Sequence, residues 1–368
     1  MSRNIALPAA LLAALLFATP ASARSFTVSA AGNSPSVAVD GGGTTHIVWD
    51  TVDDATKTST THYCKVLRSG KACAAGTERT FAPAMGDRDF AGPRVYLPGG
   101  GRVVVVTSRC CSSLDGPDGQ SHGTQVIRFL SSDGGGAFDA GAWIGGTQTP
   151  DVGAAFAPGD VFLAFGISAG GTGVAASPIT GFTGPTNTIT PILALSGGIG
   201  VGATSTIAAF NDRNSVYWAK LAGDPNAPGA WGTPAKLATG DDTQVTSGPK
   251  GPDVFYKVGE SHARYVVRRL TAAGTGFGKA VTVSESGYPI FGNVAQDPAG
   301  RIHAAWVGRY GLTYRESSTS GRSFGKLRAL AKGTRYFHLV LAADIKGRAT
   351  VAFDGNGDAS RVGGYTIG

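Results

Sequence analysis

Short runs of apolar and β-branched residues alternate with turns rich in Gly, Pro and Asp along most of this chain. The alternation is clearest in residues 37–49, 294–306 and 341–353, where two apolar runs flank an Asp-x-x-Gly turn. In the second stretch, the turn Asp297-Pro-Ala-Gly300 has the Asp, Pro and Gly positions typical of a type I turn. The pattern predicts many short strands joined by tight hairpins, and almost no helix.

The strand pattern repeats along the chain. The second strand of each unit is predicted at residues 45–49, 102–107, 160–165, 206–210, 253–258, 302–306 and 349–353. Successive strands end 45 to 58 residues apart, which matches a four-stranded propeller blade with its loops. We therefore predict an all-β propeller of seven four-stranded blades. Six or eight blades are the alternatives, because the fourth and fifth units are the most degenerate.

The seventh unit ends after its third strand, at residues 361–367. Residues 24–30 resemble the fourth strand of another unit, residues 277–284. We expect this N-terminal strand to complete the last blade and close the ring, which would remove an open sheet edge.

Residues 1–23 have the features of a secretory signal peptide. Arg3 supplies a positive start, residues 6–17 are apolar, and Ala21-Ser-Ala23 fits an A-x-A cleavage site. We predict cleavage near Ala23, a single propeller domain over residues 24–368, and a secreted or otherwise extracytoplasmic protein. No later apolar run is long enough for a transmembrane segment.

The chain is glycine-rich and basic. Glycine accounts for 56 of 368 residues, about twice the usual share, and the formal net charge is +7. No lysine run or nucleic-acid motif is present, so nucleic acid is not the expected partner. We expect an anionic extracellular glycan or an envelope component as partner, and a monomer.

Four cysteines in an exported chain favour disulfide bonds. Cys64 and Cys73 flank the turn at residues 68–71, so we predict a bridge between them. The adjacent Cys110 and Cys111 could form a vicinal disulfide or pair elsewhere. Their spacing does not fit a zinc site, and no cofactor or metal is expected. A weak Ca2+ site at Asp354, Asn356 and Asp358 is conceivable, although a solvated turn is favoured.

The turn between the third and fourth strands carries a specific motif in two of the units. Ser131, Asp133, Gly135 and Phe138 fit S-x-D-x-G-x-x-[WF]; Ser317, Gly321 and Phe324 fit it with Thr319 in place of Asp. These turns resemble the Asp-box (BNR) repeat of the sialidase-like propellers, in degenerate form. The resemblance implies that the Ser, Asp and aromatic side chains are structural and lie opposite the ligand face.

Loops on the expected ligand face contain several arginines. They are Arg88, Arg109, Arg213, Arg309 and Arg335. Guanidinium groups bind carboxylates or sulfates in a bidentate manner, although any single surface arginine is more often solvated or locally paired. Together they favour an anion-binding face.

The sialidase resemblance implies arginines on a substrate carboxylate, a Tyr nucleophile with a Glu partner, and an Asp acid/base. The residues that could serve are Tyr288, Tyr310, Tyr336, Glu260, Asp50 and Asp87. The Arg-Ile-Pro element of that family is missing, because Pro35 is flanked by Ser34 and Ser36. Sialidase activity is therefore disfavoured. His46 and His303 occupy the same strand position in two units, which predicts a structural role, either packing or a hydrogen bond between blades.

Our leading hypothesis is non-catalytic recognition of an acidic glycan by this face. The alternatives are a glycoside hydrolase or lyase that uses carboxylates of the same face, and a protein–protein scaffold in the envelope.

Overall fold

The structure is a computed structural model. It describes residues 23–53, 55, 58–81, 92–110, 124–146, 154–157, 160–168, 171–178, 187–192, 194–260, 262–285, 289–309, 311–333, 336–355 and 361–368. The 28 strands of this part of the chain form seven four-stranded antiparallel sheets. The prediction of a seven-bladed β-propeller is confirmed, and six or eight blades are excluded. Within these ranges, no helix is long and apolar enough to cross a membrane.

The strands follow each other around the ring in sequence order. The first strand is β1 (Arg24–Ser29). Blade 1 contains β2 (Asn33–Val39), β3 (Thr45–Asp53), β4 (Thr58–Val66) and β5 (Arg79–Phe81). Blade 2 contains β6 (Arg94–Gly99), β7 (Arg102–Cys110), β8 (Thr124–Ser131) and β9 (Ala142–Gly146). Blade 3 contains β10 (Ala154–Ala157), β11 (Val161–Ser168), β12 (Gly171–Pro178) and β13 (Asn187–Thr190). Blade 4 contains β14 (Ser196–Val201), β15 (Thr206–Asn211), β16 (Ser215–Lys220) and β17 (Ala235–Thr239).

The remaining blades complete the circle. Blade 5 contains β18 (Asp241–Thr246), β19 (Asp253–Val258), β20 (Arg264–Arg269) and β21 (Val281–Thr282). Blade 6 contains β22 (Phe291–Gln296), β23 (Ile302–Gly308), β24 (Gly311–Glu316) and β25 (Arg328–Ala331). Blade 7 contains β26 (Tyr336–Ala343), β27 (Ala349–Gly355) and β28 (Arg361–Ile367), with β1 as its fourth strand.

The ring closes through β1, as the sequence predicts. β1 pairs antiparallel with β28, with Phe26 opposite Gly364. The Thr27 N–H also donates to the carbonyl of Lys71 in blade 1, at 2.9 Å. Phe26 is only 4% exposed and packs in a cluster that spans blades 7 and 1. The two ends of the chain therefore share one blade and one core.

The three Asp-x-x-Gly turns have the same geometry. In each one, the Asp Oδ1 accepts the N–H of the residue four positions later at 2.9 Å. The glycines adopt the left-handed conformation, with φ between 74° and 88°. They are Gly43, Gly300 and Gly347. Glycine suits these positions because a Cβ is disfavoured at positive φ. The disulfide between Cys64 and Cys73 is also present, with a Cα–Cα distance of 5.7 Å, which confirms the predicted pairing.

His46 and His303 each belong to an Asp–His–Tyr network in which the histidine and the tyrosine are buried. His46 Nδ1 lies 2.8 Å from the Tyr63 hydroxyl, and Nε2 lies 3.6 Å from Asp40. In blade 6, His303 has the same arrangement, at 2.6 Å from the Tyr314 hydroxyl and 3.3 Å from Asp297. The repeated histidines are thus structural, but their hydrogen bonds lie within a blade and not between blades as the sequence suggested.

The His46 network should make stability fall in acid. Burial lowers the pKa of His46 despite the opposing attraction of Asp40, so the native ring binds its proton less readily than the unfolded one. Below the ordinary histidine pKa of about 6.5, the unfolded state therefore binds more protons, and the free energy of unfolding must fall as pH falls. Urea unfolding at several pH values between 7.5 and 5.5 should show this decline, limited to about 1.4 kcal/mol per pH unit for each histidine. His46→Gln should have a flatter dependence, and an unchanged slope would contradict this assignment.

Candidate ligand-binding face

Two faces of the ring differ in the connections they carry. Because each blade is an antiparallel meander, loops between second and third strands lie at the same end as the connections between blades. We call this end the loop face. The opposite end, with the hairpins between first and second and between third and fourth strands, is the turn face.

Three of the predicted site residues lie exposed on the loop face in consecutive blades. Arg213 follows β15, Glu260 follows β19 and Arg309 follows β23. Arg109 lies within β7, and its side chain is outside the described part of the structure. Five further candidates lie outside the described residues: Arg88, Asp87, Tyr288, Tyr310 and Arg335.

Tyr336, another predicted candidate, has a structural environment. Its hydroxyl donates to the carbonyl of Lys332 at 3.1 Å, and its ring packs edge-on against Phe353 at 4.8 Å. Burial raises the pKa of Tyr336, which disfavours the phenolate. The described contacts therefore connect this side chain to the blade 7 core.

Asp50 lies at the loop-face end of β3, but it is only 2% exposed. Its carboxylate accepts a hydrogen bond of 2.6 Å from the Thr61 hydroxyl on the neighbouring strand. Asn211 and Asp354 occupy the corresponding position in blades 4 and 7. A polar side chain at this position is buried against its own blade.

In two blades, this side chain also binds the next blade. Asp354 Oδ2 accepts the Ser34 N–H of blade 1 at 2.9 Å, and Asn211 Oδ1 accepts the Thr243 N–H of blade 5 at 3.1 Å. The sequence raised a weak Ca2+ site at Asp354, Asn356 and Asp358. Asp354 accepts the Ser34 N–H hydrogen bond, whereas Asn356 and Asp358 lie outside the described residues. The described part of the chain contains no group of three or more His, Cys, Asp or Glu side chains suited to a metal ion.

In three blades, the first strand begins with a β-bulge that holds a non-glycine residue at positive φ. These residues are Ser34 (φ 51°), Asp242 (φ 49°) and His338 (φ 41°). At each bulge, two residues of the first strand face one residue of the second strand. In blade 2, Gly92 precedes Pro93 as Ser34 precedes Pro35, and it also has positive φ (65°). The bulge therefore recurs in blades 1, 5 and 7, and each of these three blades displays a different side chain on it.

In blade 7, the bulge displays a histidine held by a buried carboxylate. His338 Nδ1 lies 2.7 Å from Asp354 Oδ2. The imidazole side chain is 59% exposed, whereas that of Asp354 is 6% exposed. A carboxylate at Nδ1 fixes the proton there in the neutral ring and leaves Nε2 as the basic nitrogen. His338 stands in no sequence motif that would predict this role.

The residue before this histidine, Phe337, belongs to an aromatic pair between blades 6 and 7. The rings of Phe291 and Phe337 meet at 5.8 Å, and Ile290 and Phe291 are 46% and 39% exposed. The Ile290 N–H donates to the carbonyl of Val307 at 2.8 Å, which places Arg309, two residues further on, at the same edge of blade 6. We call this set the His338 patch: Ile290, Phe291, Arg309, Phe337 and His338.

The two motif turns lie on the turn face. Ser131 Oγ donates to Asp133 at 2.6 Å and accepts the Gly135 N–H at 2.9 Å. The Ser131 hydroxyl and the N–H groups of residues 136 and 137 lower the pKa of Asp133 to about 2. Phe138 packs edge-on against Tyr63 at 5.1 Å.

In the second motif turn, Ser317 Oγ accepts the Ile302 N–H at 2.8 Å. Gly321 has a φ of 70°, and Phe324 forms a β-bridge with Ser317. These contacts hold the turns together and do not belong to the loop face.

Comparison with known proteins supports the architecture. No protein-family model matches the sequence, and no curated protein matches it. Among solved structures, the chain is similar to an ulvan lyase of polysaccharide lyase family 25, with a TM-score of 0.56, 10% identity, and coverage of 93% of this chain and 95% of that chain. An α-L-arabinanase from Penicillium chrysogenum has a TM-score of 0.52, 13% identity, and coverage of 93% and 96%.

The β-propeller domain of the Trilobed protease from Pyrococcus furiosus is also similar, with a TM-score of 0.51, 10% identity, and coverage of 93% and 95%. An ulvan lyase, an arabinanase and the propeller domain of a protease thus share this fold with the chain. At such identities, the likeness establishes the propeller fold, and function must be argued from the site.

Proposed function

We propose that this chain is a secreted, sialidase-like β-propeller that binds an acidic glycan through the His338 patch. The observation that carries the proposal is the exposed imidazole of His338, fixed by a buried carboxylate and directly following Phe337, whose ring contacts the exposed Phe291. Aromatic rings pack against the apolar faces of sugars, and a guanidinium binds a carboxylate or sulfate with paired hydrogen bonds. The patch combines both kinds of contact on one edge of the loop face.

Further features support this proposal. The turns at Ser131 and Ser317 resemble degenerate Asp-box repeats in sequence, and the contacts of Asp133 are those expected of such a turn. The predicted signal peptide and the Cys64–Cys73 disulfide are typical of an oxidising, extracytoplasmic compartment. The net charge of +7 favours an anionic partner.

A second candidate function is cleavage of a uronate-containing glycan by β-elimination. The His338–Asp354 pair favours it, because an Asp-oriented histidine is a common general base. In this reaction, His338 Nε2 would take the proton next to the uronate carboxylate, and the electron pair would form a double bond as the glycosidic oxygen leaves. Arg309 would neutralise the carboxylate. Hydrolysis through a Tyr336 nucleophile has less support, because that hydroxyl donates to Lys332.

His338→Gly tests the role of the patch without disturbing the backbone. Glycine suits a φ of 41°, so we expect the free energy of unfolding to stay equal or to rise by up to about 1 kcal/mol. Affinity for polyuronates or sulfated glycans, measured by isothermal titration calorimetry, should fall roughly tenfold or more, as for loss of a central contact. Arg309→Gln should weaken binding and reduce its salt dependence.

Ser34→Gly is the matched control, because it changes the same bulge position in blade 1 without removing an imidazole. Its affinity should equal that of the unmodified protein. Equal binding of neutral and acidic glycans, or unchanged affinity in His338→Gly, would refute the binding proposal. Release of unsaturated uronate product, detected by its ultraviolet absorbance and lost in His338→Gly, would establish the lyase instead.

A further inference from the structure

A cavity of about 370 Å³ lies on the turn face, where blade 7 meets blade 1. Three separate segments contribute charged side chains to its wall. Arg24 comes from the start of β1, Arg68 from the turn after β4, and Asp344 and Arg348 from the turn between β26 and β27. The cavity is therefore at the opposite end of the ring from the His338 patch.

Positive charge dominates this wall. Asp344 is 1% exposed, and its Oδ1 accepts the N–H groups of Lys346 and Arg348 at 2.8 and 2.9 Å. Its Oδ2 accepts from Nε of Arg348. The single side-chain carboxylate is thus used within its own turn, and among the side chains of the wall three guanidinium groups stand against one acid.

Arg348 is a buried cation that lacks a full set of partners. Its side chain is 14% exposed, and Nη1 has no hydrogen-bond partner among the described residues. Gly43 of blade 1 packs directly against this group, since a Cβ there would lie 2.4 Å from Nη2. Arg348 is therefore held at the boundary of the two blades, under the cavity, as the cation of a largely buried ion pair with Asp344.

The wall is also held in place. The Cys64–Cys73 disulfide spans the turn that carries Arg68. The Thr27 N–H of β1 donates to Lys71 in that turn, and the Thr366 hydroxyl donates to the carbonyl of Arg24 at 3.4 Å. Preformed positions reduce the entropic cost of binding. The volume also falls at the lower end of the roughly 300–1,000 Å³ of small-molecule sites.

We propose that this cavity binds a ligand of monosaccharide size or smaller that carries an oxyanion: a carboxylate, sulfate or phosphate. Arg24 and Arg68, both exposed, would bind the oxyanion directly, while the Arg348–Asp344 ion pair forms the floor of the cavity. Since Arg24 belongs to blade 7 and Arg68 to blade 1, the ligand would bridge the closure of the ring. Binding would therefore stabilise the closed propeller against unfolding.

The test uses inorganic sulfate, inorganic phosphate and glucuronate, with glucose as the neutral control and sodium chloride to equalise ionic strength. At least one anion should raise the melting temperature by roughly 2–5 °C above the chloride control, and calorimetry should still detect a binding site for it in His338→Gly, which lacks the imidazole of the loop face. The anion that binds most tightly identifies the chemical class. Arg24→Gln and Arg68→Gln should each weaken this binding by roughly tenfold.

Arg213→Gln, an exposed arginine on the loop face, is the matched control and should bind the anion normally. His338→Gly should also leave anion binding at the cavity unchanged. A loss of glycan binding at the His338 patch can therefore be told apart from a loss of anion binding at the cavity. No thermal shift beyond chloride with any of the three anions would overturn the proposal. So would unchanged affinity in both Arg24→Gln and Arg68→Gln.

Discussion

A chain that lacks β1 is expected to lose its cooperative fold and to aggregate. Without β1, the backbone of β28 becomes an open sheet edge, which can pair with other chains. The core between blades 7 and 1 also loses Phe26, which packs with Ile47, Trp49 and Val362. Loss of a buried Phe side chain alone costs about 3–5 kcal/mol, a large part of the 5–15 kcal/mol that stabilises a typical protein.

Size-exclusion chromatography and urea unfolding of a chain starting at residue 31 would check this expectation. In the full chain, Phe26→Ala should lower the free energy of unfolding by about 3–5 kcal/mol, and Phe26→Leu by less than about 1.5 kcal/mol. A synthetic peptide of residues 23–30 should restore a monomeric propeller by strand addition. A truncated chain that remains monomeric and unfolds like the full chain would show that β1 does not close the ring.

The sequence was sufficient to predict this closure because the relevant signals are local. Strand-length apolar runs and Asp-x-x-Gly turns repeat at blade spacing. The seventh unit has only three strands, and residues 24–30 have the pattern of the missing fourth strand. The Cys64–Cys73 bridge likewise spans one hairpin. The turns and the bridge depend on neighbours in sequence, and the closure follows from the number of strands in each unit, so pattern and turn chemistry were enough.

The sequence could not reveal the His338–Asp354 pair. The two residues meet because a bulge shifts the register between Phe337 and Val340, and the residue held at positive φ there is not the expected Gly. A one-residue change in register alters which side chains meet, and periodicity does not record it. Asp50 shows the converse: its position at a strand end suggested an exposed acid, whereas the fold buries it.

The cavity at the ring closure was inaccessible to sequence analysis for a different reason. Arg24 and Arg348 lie near opposite ends of the chain, and neither stands in a recognisable motif. They become neighbours only when β1 pairs with β28 and blade 7 packs against blade 1. Sites formed at a closure therefore require the folded ring.

The second large effect is expected in blade 5, where Asp253→Ala should lower the free energy of unfolding by about 3–5 kcal/mol. Asp253 is fully buried, and its two oxygens accept from Nε and Nη2 of Arg269 at 2.8 and 3.0 Å. Gln296 of blade 6 donates to the same carboxylate at 2.6 Å. The substitution would leave a largely buried guanidinium without its counter-charge and the Gln296 amide without this acceptor. Urea unfolding measures the loss directly.

A double-mutant cycle then separates the value of the pair from the cost of an orphaned charge. Asp253→Leu with Arg269→Met removes both charges, and we expect it to be clearly more stable than either single charge removal. Arg328→Ala is the matched control, because the Arg328–Glu316 pair is 3.3 Å apart but more than a third exposed on both sides. It should cost at most about 1 kcal/mol. If Asp253→Ala lowered the free energy of unfolding no more than this surface substitution, the prediction would be wrong. Neither the ion pair with Arg269 nor the hydrogen bond from Gln296 would then contribute measurably to stability.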